Sequence, residues 1–113
     1  MTDTFYGRFV KEMFKAELKP DEEQLYIDHF PVLHAAAGVA GEAGEILDLI
    51  KKCVFTGKTL YIDEVIKEMG DLEFYLEALR QTLHVSKDEI LNQNWKKLSQ
   101  RHGDNDIEDY YAE

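Results

Sequence analysis

Apolar residues between Ile62 and Leu83 recur at intervals of three and four residues, and this spacing most constrains how the chain folds. Because an α-helix has 3.6 residues per turn, residues at such intervals lie along one side of a helix. The chain has two prolines, Pro20 and Pro31, both in its first third, and no segment shows the alternation of apolar and polar residues typical of a strand. The sequence therefore predicts an all-α protein, a bundle of four helices.

Proline, glycine and capping signals divide the chain into these helices. Pro20 is predicted to end the first helix, and a short helical or extended segment over 21–30 leads to Pro31, which suits the first turn of the second helix. Ser86 and Glu89 form a capping box that predicts the start of the fourth helix. The predicted helices cover Thr4–Leu18, Val32–Lys52, Ile62–His84 and Lys87–Arg101, with a loop over 53–60 in which Gly57 is the pivot.

The two central helices each carry a stripe of apolar residues that we expect to face the core. Acidic residues lie beside each stripe, so they are expected at the edge of a groove between helices. The predicted stripe of the second helix contains Val32, Ala36, Val39, Ala43, Ile46, Leu47 and Ile50, and that of the third contains Ile62, Ile66, Met69, Leu72, Leu76, Leu79 and Leu83.

The length and charge of the chain limit the classes of function. With 113 residues the chain fits one domain, which we place at 1–103, followed by an acidic tail at 104–113. The formal net charge of −10 argues against a general nucleic-acid binder, which needs a basic surface. A nucleotide substrate remains compatible with this charge, because a metal ion can bring in its phosphates.

The single cysteine, Cys53, excludes a disulfide within the chain and fits a reducing compartment. The first residues lack the apolar core of a signal peptide, and no apolar run reaches the length that spans a membrane. These observations predict a cytoplasmic location.

Two pairs of acids stand out within the helical pattern. Glu42 and Glu45 are three residues apart, as are Glu68 and Asp71, and this spacing places both carboxylates of a pair on one side of a helix. Two such helices face to face would bring four carboxylates together, where each like-charged pair at about 4 Å costs roughly 1 kcal/mol even in water. A hard divalent cation with oxygen ligands, Mg²⁺ or alternatively Mn²⁺, relieves this repulsion. The sequence therefore predicts a metal site, and a metal held in this way typically meets a phosphate.

These motifs resemble those of a known family. The stretch from His34 to Glu45, the lysines Lys51 and Lys52, and the segments over 55–58 and 68–76 together resemble the MazG-like nucleotide pyrophosphohydrolases, in particular the short single-domain members of phage type. The resemblance covers about 32–101 and implies an all-α bundle that works as a homodimer, homotetramer or larger oligomer through its helices. It also implies Mg²⁺-dependent hydrolysis of a nucleoside triphosphate between the α and β phosphates, giving a nucleoside monophosphate and pyrophosphate.

The resemblance also assigns roles to particular residues. The acid motif of the family is Glu-x-x-Glu, a spacer and Glu-x-x-Asp, and it implies that the matching residues are both the metal ligands and the catalytic groups: Glu42, Glu45, Glu68 and Asp71. An Asn…Lys-hydrophobic-x-x-Arg signature of the last helix, which meets the phosphate chain, is matched by Asn94, Lys97 and Arg101. In two departures from the family pattern, Gly41 stands where many members have a further glutamate, and Glu64 stands where some members have a lysine.

Several side chains near these motifs have a simpler interpretation. Lys51, Lys52 and Lys58 are expected to line a solvent-exposed edge rather than to bind phosphate, although Lys58 lies in a loop that could act as a lid. Tyr75 and Trp95 are expected to pack in the core or in a dimer interface rather than to stack on a base.

Two other classes of function are alternatives to a hydrolase. A non-enzymatic acidic helical interaction protein would carry the same acids as a solvated face. A di-iron bundle of the ferritin type needs Glu-x-x-His motifs, and none of the four histidines has a glutamate three residues earlier. The sequence leaves open the base and sugar of the substrate, the number of metal ions, the carboxylate that acts as general base, and dimer against tetramer.

Overall fold

A computed structural model describes residues 4–102 of the chain, and it confirms the all-α prediction. Four helices and no strand occur within this range. None of the helices is both long enough and apolar enough to cross a membrane, as far as residues 4–102 are concerned. The helices are α1 at Phe5–Met13, α2 at Pro20–Thr56, α3 at Ile62–Leu83 and α4 at Lys87–His102.

Helix α2 differs most from the prediction, because it continues through Pro31 instead of beginning there. Proline in a helix interior removes one backbone hydrogen bond and crowds the carbonyl four residues earlier, so a break was expected. The first-turn position expected for Pro31 belongs instead to Pro20, where the missing N–H is not needed. The chain nevertheless divides into two compact units at this proline, Met1–Phe30 and Pro31–Glu113.

Helix α1 is shorter than predicted and ends at Met13 rather than at Leu18. The side chain of Thr4 caps its first turn by accepting a hydrogen bond from the backbone N–H of Gly7 at 2.9 Å. The helical pattern of the sequence continues beyond Met13, but Phe14 already has extended backbone geometry.

The turn between α2 and α3 is built around Gly57, the predicted pivot. Gly57 has a φ of 73°, in the left-handed region that glycine adopts without steric cost. Its N–H donates to the carbonyl oxygen of Cys53 at 3.2 Å, and the N–H of Lys58 donates to that of Lys52 at 3.4 Å. These bonds satisfy carbonyls of the last helical turn, so α2 ends at Thr56 and an antiparallel return of the chain becomes possible.

The turn between α3 and α4 follows the prediction closely. Helix α3 ends with His84 in the left-handed conformation, at a φ of 56°. The N–H of Glu89 donates to the Oγ of Ser86 at 3.1 Å, which is one half of the predicted capping box. The predicted start of α4 is therefore confirmed.

Few side chains are fully covered within residues 4–102. Ala35 is the one buried apolar residue, with 4% of its surface exposed, and Ser99 is the one buried polar residue. The remaining residues of α2 from Pro31 onward that are not exposed are half-buried: Val32, Gly38, Val39, Glu42, Ile46, Leu49, Ile50 and Cys53.

The face of α3 that packs inward is rotated from the predicted one. Leu72, Leu76 and Leu79 are half-buried as expected, but Ile62, Ile66 and Met69 are exposed at 61%, 58% and 52%. On α2, the predicted core residues Ala36, Ala43 and Leu47 are exposed as well. The half-buried places at the start and middle of α3 belong instead to Val65, Glu68 and Tyr75.

This correction has a physical cause. Spacing in the sequence shows which residues share a face, but two neighbouring stripes on α3 both satisfy the helical period. The structure turns the stripe that carries the acids toward α2 and leaves much of the purely apolar stripe uncovered. Glu42 and Glu68 are therefore half-buried in the groove between the two helices, where the sequence places the acids, whereas Asp71 is exposed.

Candidate metal centre

Three of the four predicted acids converge between α2 and α3. Glu42 from α2 and Glu68 and Asp71 from α3 each offer a carboxylate oxygen, and these oxygens all lie within 4.8 Å of one another. Glu42 and Glu68 are half-buried, whereas Asp71 is exposed. We call these three residues the acid cluster.

The fourth predicted acid, Glu45, lies outside the cluster. It is exposed and belongs to the next turn of α2, three residues after Glu42. Its charge still contributes to raising the pKa of Glu42, so the two carboxylates are near enough to repel each other. The structure thus places Glu45 beside the cluster rather than within it.

The electrostatics of Glu42 show how unfavourable the metal-free cluster is. Burial is the largest cause that raises the pKa of the Glu42 carboxyl, followed by a hydrogen bond with Glu68 and by the charges of Asp71, Glu68 and Glu45. All of these causes disfavour a second negative charge in the same space. In addition, the Oε2 atom of Glu42 is buried without a hydrogen-bond partner.

The cluster fits a divalent cation. An unpartnered buried carboxylate oxygen is costly, and a cation that accepts oxygen ligands would satisfy it. The cluster supplies oxygen atoms alone, with no histidine or cysteine, which favours Mg²⁺ or Mn²⁺ over zinc or copper. Exposed Asp71 leaves a side open through which phosphate oxygens can approach.

A tightly packed aromatic contact lies one helical turn from the cluster. Gly38 precedes Glu42 by four residues and Tyr75 follows Asp71 by four residues, and a β-carbon built on Gly38 would overlap the Tyr75 ring. The His34 ring lies 6.2 Å from that of Tyr75, between ring centroids. Tyr75 is therefore part of the packing between α2 and α3, in agreement with its predicted role.

The predicted phosphate-binding residues of α4 lie on one flank of that helix. Asn94, Lys97 and Arg101 are all exposed, while Trp95 is half-buried and Ser99 is buried on the inward side. Among residues 4–102, no ion pair joins Lys97 or Arg101 to the acid cluster. The four acids and the three α4 residues therefore remain a predicted site, of which three acids are seen together.

Sequence reasoning missed two features of this region. One is Tyr75 as the partner of Gly38: the glycines in a helical segment indicate close approach of another helix or of a ligand, but not the residue that makes it. The other is a cavity beside the loop between α2 and α3, lined in part by Lys52 and Lys58. No spacing rule indicates a cavity that depends on how a loop returns to its helix.

The comparison with protein families identifies the class of the protein. The model of the MazG nucleotide pyrophosphohydrolase domain matches residues 31–105, which is most of the chain, and it begins at Pro31, the first residue of the second compact unit. The chain therefore belongs to the MazG nucleotide pyrophosphohydrolase domain family, as the motif resemblance implied. No curated protein and no solved structure matches the chain significantly.

Proposed function

We propose that the protein is a Mg²⁺-dependent nucleoside triphosphate pyrophosphohydrolase that cleaves its substrate between the α and β phosphates. The observation that carries this proposal is the convergence of Glu42, Glu68 and Asp71, with a buried and unpartnered Glu42 oxygen, in a chain of the MazG family. An acidic surface without a ligand has no physical reason to turn such carboxylates inward.

The proposed reaction needs charge neutralisation more than covalent chemistry. A Mg²⁺ ion held by Glu42, Glu68 and Asp71 would supply positive charge to the phosphate oxygens and would lower the pKa of a water molecule. Water attacks the α phosphorus, the bond from that phosphorus to the bridging oxygen breaks, and pyrophosphate leaves. The proton of the attacking water passes to a carboxylate of Glu42, Glu45, Glu68 or Asp71, the four proposed catalytic and metal-binding residues.

The phosphate chain also needs cations and hydrogen-bond donors from the protein, and Asn94, Lys97 and Arg101 are the proposed substrate-binding residues. Lys97 and Arg101 are four residues apart, so they present their charges on one side of α4. Arginine suits the task because its planar guanidinium donates two hydrogen bonds to one phosphate. Arg101→Ala is expected to raise KM for the triphosphate.

We further propose that a second copy of the chain covers the exposed apolar stripe of α3. The uncovered residues Ile62, Ile66 and Met69 form a row along one side of that helix, which is typical of an interface between subunits. Sedimentation analysis of the wild type and of Ile66→Glu tests this, because a buried glutamate would dissociate the assembly.

Product analysis tests the reaction. The protein is incubated with each canonical deoxynucleoside triphosphate, dUTP and oxidised analogues, with Mg²⁺ and with a chelator, and pyrophosphate and orthophosphate are measured separately. Mg²⁺-dependent release of pyrophosphate is expected. Release of orthophosphate would contradict cleavage between the α and β phosphates, and release of neither would favour a non-enzymatic interaction protein.

A further inference from the structure

A cavity of about 390 Å³ lies beside the loop that joins α2 to α3. Its lining includes the cations Lys52 and Lys58, the hydroxyl groups of Thr59 and Tyr61, and the carboxylate of Glu64, together with leucines. We call it the loop cavity. Because it combines cations and hydroxyl donors with one acid, it is suited to a polar, negatively charged group rather than to an apolar side chain.

The loop cavity lies within reach of the acid cluster along both helices. Glu64 precedes Glu68 by four residues on α3, which is about 6 Å of helix, and Leu49, which also lines the cavity, follows Glu42 by seven residues on α2, about 10 Å. The charges of Glu45 and Glu64 both help to raise the pKa of Lys52, after the larger effect of Asp48. Lys52 in the cavity lining is thus influenced by Glu45, an acid that lies beside the cluster.

The two lysines of the cavity are in different situations. The ammonium of Lys52 forms an ion pair with Asp48 at 2.8 Å, so much of its charge is already neutralised within α2. Lys58 is exposed. The hydrogen bond from Lys52 is the largest cause that lowers the pKa of Asp48, and the charge of Lys58 is the smallest. Lys58 is therefore the cation of the cavity that is available to a ligand.

The backbone holds Lys58 at this place. Its N–H donates to the carbonyl oxygen of Lys52, and the preceding residue, Gly57, takes the left-handed conformation that turns the chain back toward α3. The long stem of a lysine lets its ammonium move while the backbone stays fixed. Such a residue can follow the end of a flexible ligand.

We propose that the loop cavity receives the terminal phosphate of the nucleoside triphosphate, with Lys58 as its ligand. The inference rests on the proposed function, which places the α phosphate at the acid cluster. The β and γ phosphates then extend along the α2–α3 groove toward the loop, a direction in which Lys58 supplies a positive charge. The terminal phosphate, rather than the nucleoside, is the group that an ammonium and two hydroxyl donors recognise.

This arrangement makes the protein selective for phosphate number. A monophosphate bound at the acid cluster does not extend to Lys58, whereas a triphosphate does. Glu64 is the one acid that lines the cavity, and its negative charge repels the same phosphate. Removal of this charge is therefore expected to strengthen binding of the triphosphate.

Calorimetric binding in the presence of Mg²⁺ tests the proposal with full-length protein. The ligands are an α,β-methylene nucleoside triphosphate, which the protein cannot cleave between those phosphates, and the corresponding monophosphate. We expect Lys58→Gln to weaken binding of the triphosphate analogue about tenfold, as the loss of a charge-assisted hydrogen bond does, and to leave the monophosphate unchanged. We expect Glu64→Gln to strengthen binding of the triphosphate analogue a few-fold.

Lys51→Gln is the matched control, because Lys51 is an exposed lysine in the last part of α2 that does not line the cavity. Equal effects of Lys58→Gln and Lys51→Gln would overturn the proposal, since they would reflect net charge alone. Equal losses for triphosphate and monophosphate would also overturn it, because they would place the nucleoside in the cavity. Failure of the proposed function is separate: wild-type protein that binds the analogue but releases no pyrophosphate from any triphosphate contradicts the reaction and not the cavity.

Discussion

Two neighbouring levels of the groove between α2 and α3 are filled in opposite ways. At the first, the ring of Tyr75 lies so close to Gly38 that no β-carbon fits between them. One helical turn away, the carboxylates of Glu42, Glu68 and Asp71 face one another without a base between them. At the first level, van der Waals contact holds the two helices together, while at the second the like charges of the carboxylates repel one another.

The difference shows how a small helical protein keeps a repulsive site in place. The ring-to-backbone contact fixes the distance between α2 and α3 through van der Waals packing, which changes steeply with distance. The distance between α2 and α3 at the acid cluster is then set by this contact, although the charges of the cluster repel one another. On this view the aromatic level positions the ligands, and the metal ion is needed to make the acidic level favourable.

The largest expected effect comes from removing a cluster ligand. Glu68→Ala is expected to lower pyrophosphohydrolase activity by more than about 100-fold. Loss of a residue that only orients a metal ligand costs up to about 100-fold, and Glu68 is proposed to be a ligand itself. Helix content measured by circular dichroism should persist, because the change removes repulsion. Glu73→Ala serves as the control, because Glu73 is an acid of α3 that is exposed and lies outside the cluster. A similar loss of activity in both variants would contradict the role of Glu68.

The metal ion itself is expected to stabilise the acidic level. Mg²⁺ at 100 times its dissociation constant should increase the free energy of unfolding by about 2.7 kcal/mol, because it binds the folded state alone. The measurement is the melting temperature with increasing Mg²⁺, compared with Na⁺ at equal ionic strength. Equal shifts with the two salts, or a full Mg²⁺ shift in Glu68→Ala, would show that the cluster does not hold the ion.

A smaller effect is expected from breaking the aromatic level. Gly38→Ala forces the Tyr75 ring to move, which typically lowers the free energy of unfolding by about 1–3 kcal/mol. The better helix preference of alanine offsets about 1 kcal/mol of this loss. A net loss of stability is therefore expected in chemical denaturation. Gly44→Ala is the matched control, because nothing lies within 4 Å of the added β-carbon, and it should stabilise the protein by about 0.5–1 kcal/mol.

The smallest expected effect is the pH dependence that Glu42 introduces in metal-free protein. Its folded-state pKa is raised from the ordinary value of 4.5, first by burial and then by Glu68, so the folded state binds the proton more tightly than the unfolded state. The contribution of Glu42 to stability is therefore complete below pH 4.5 and is lost as the pH rises through the raised value. Compared with wild type, Glu42→Gln should become progressively more stable between pH 4.5 and neutral pH, and a constant difference would contradict this assignment.

The sequence predicted the helices better than the faces on which they pack. Ser86, Gly57 and the spacing in α3 specify local structure, because capping and turn geometry depend on neighbours in the chain. The prediction that a helix begins at Pro31 was wrong, because the effect of a proline depends on whether the surrounding helix compensates for one lost hydrogen bond.

The candidate site shows the same division. The spacing of Glu68 and Asp71 places both on one side of α3, and the structure adds Glu42 from α2. Neither the exposure of Glu45 nor the contact of Gly38 with Tyr75 follows from spacing, because both depend on how far one helix is rotated against the other. The loop cavity likewise arises only when Lys58 is carried back over the end of α2.

The exposed row of Ile62, Ile66 and Met69 has a consequence for how the protein would respond to dilution. Ala35 alone is a buried apolar residue within 4–102, so a single chain has little hydrophobic stabilisation of its own. In the proposed assembly, folding and association become one event governed by mass action. The melting temperature should then rise with protein concentration, and the metal affinity should fall as subunits separate.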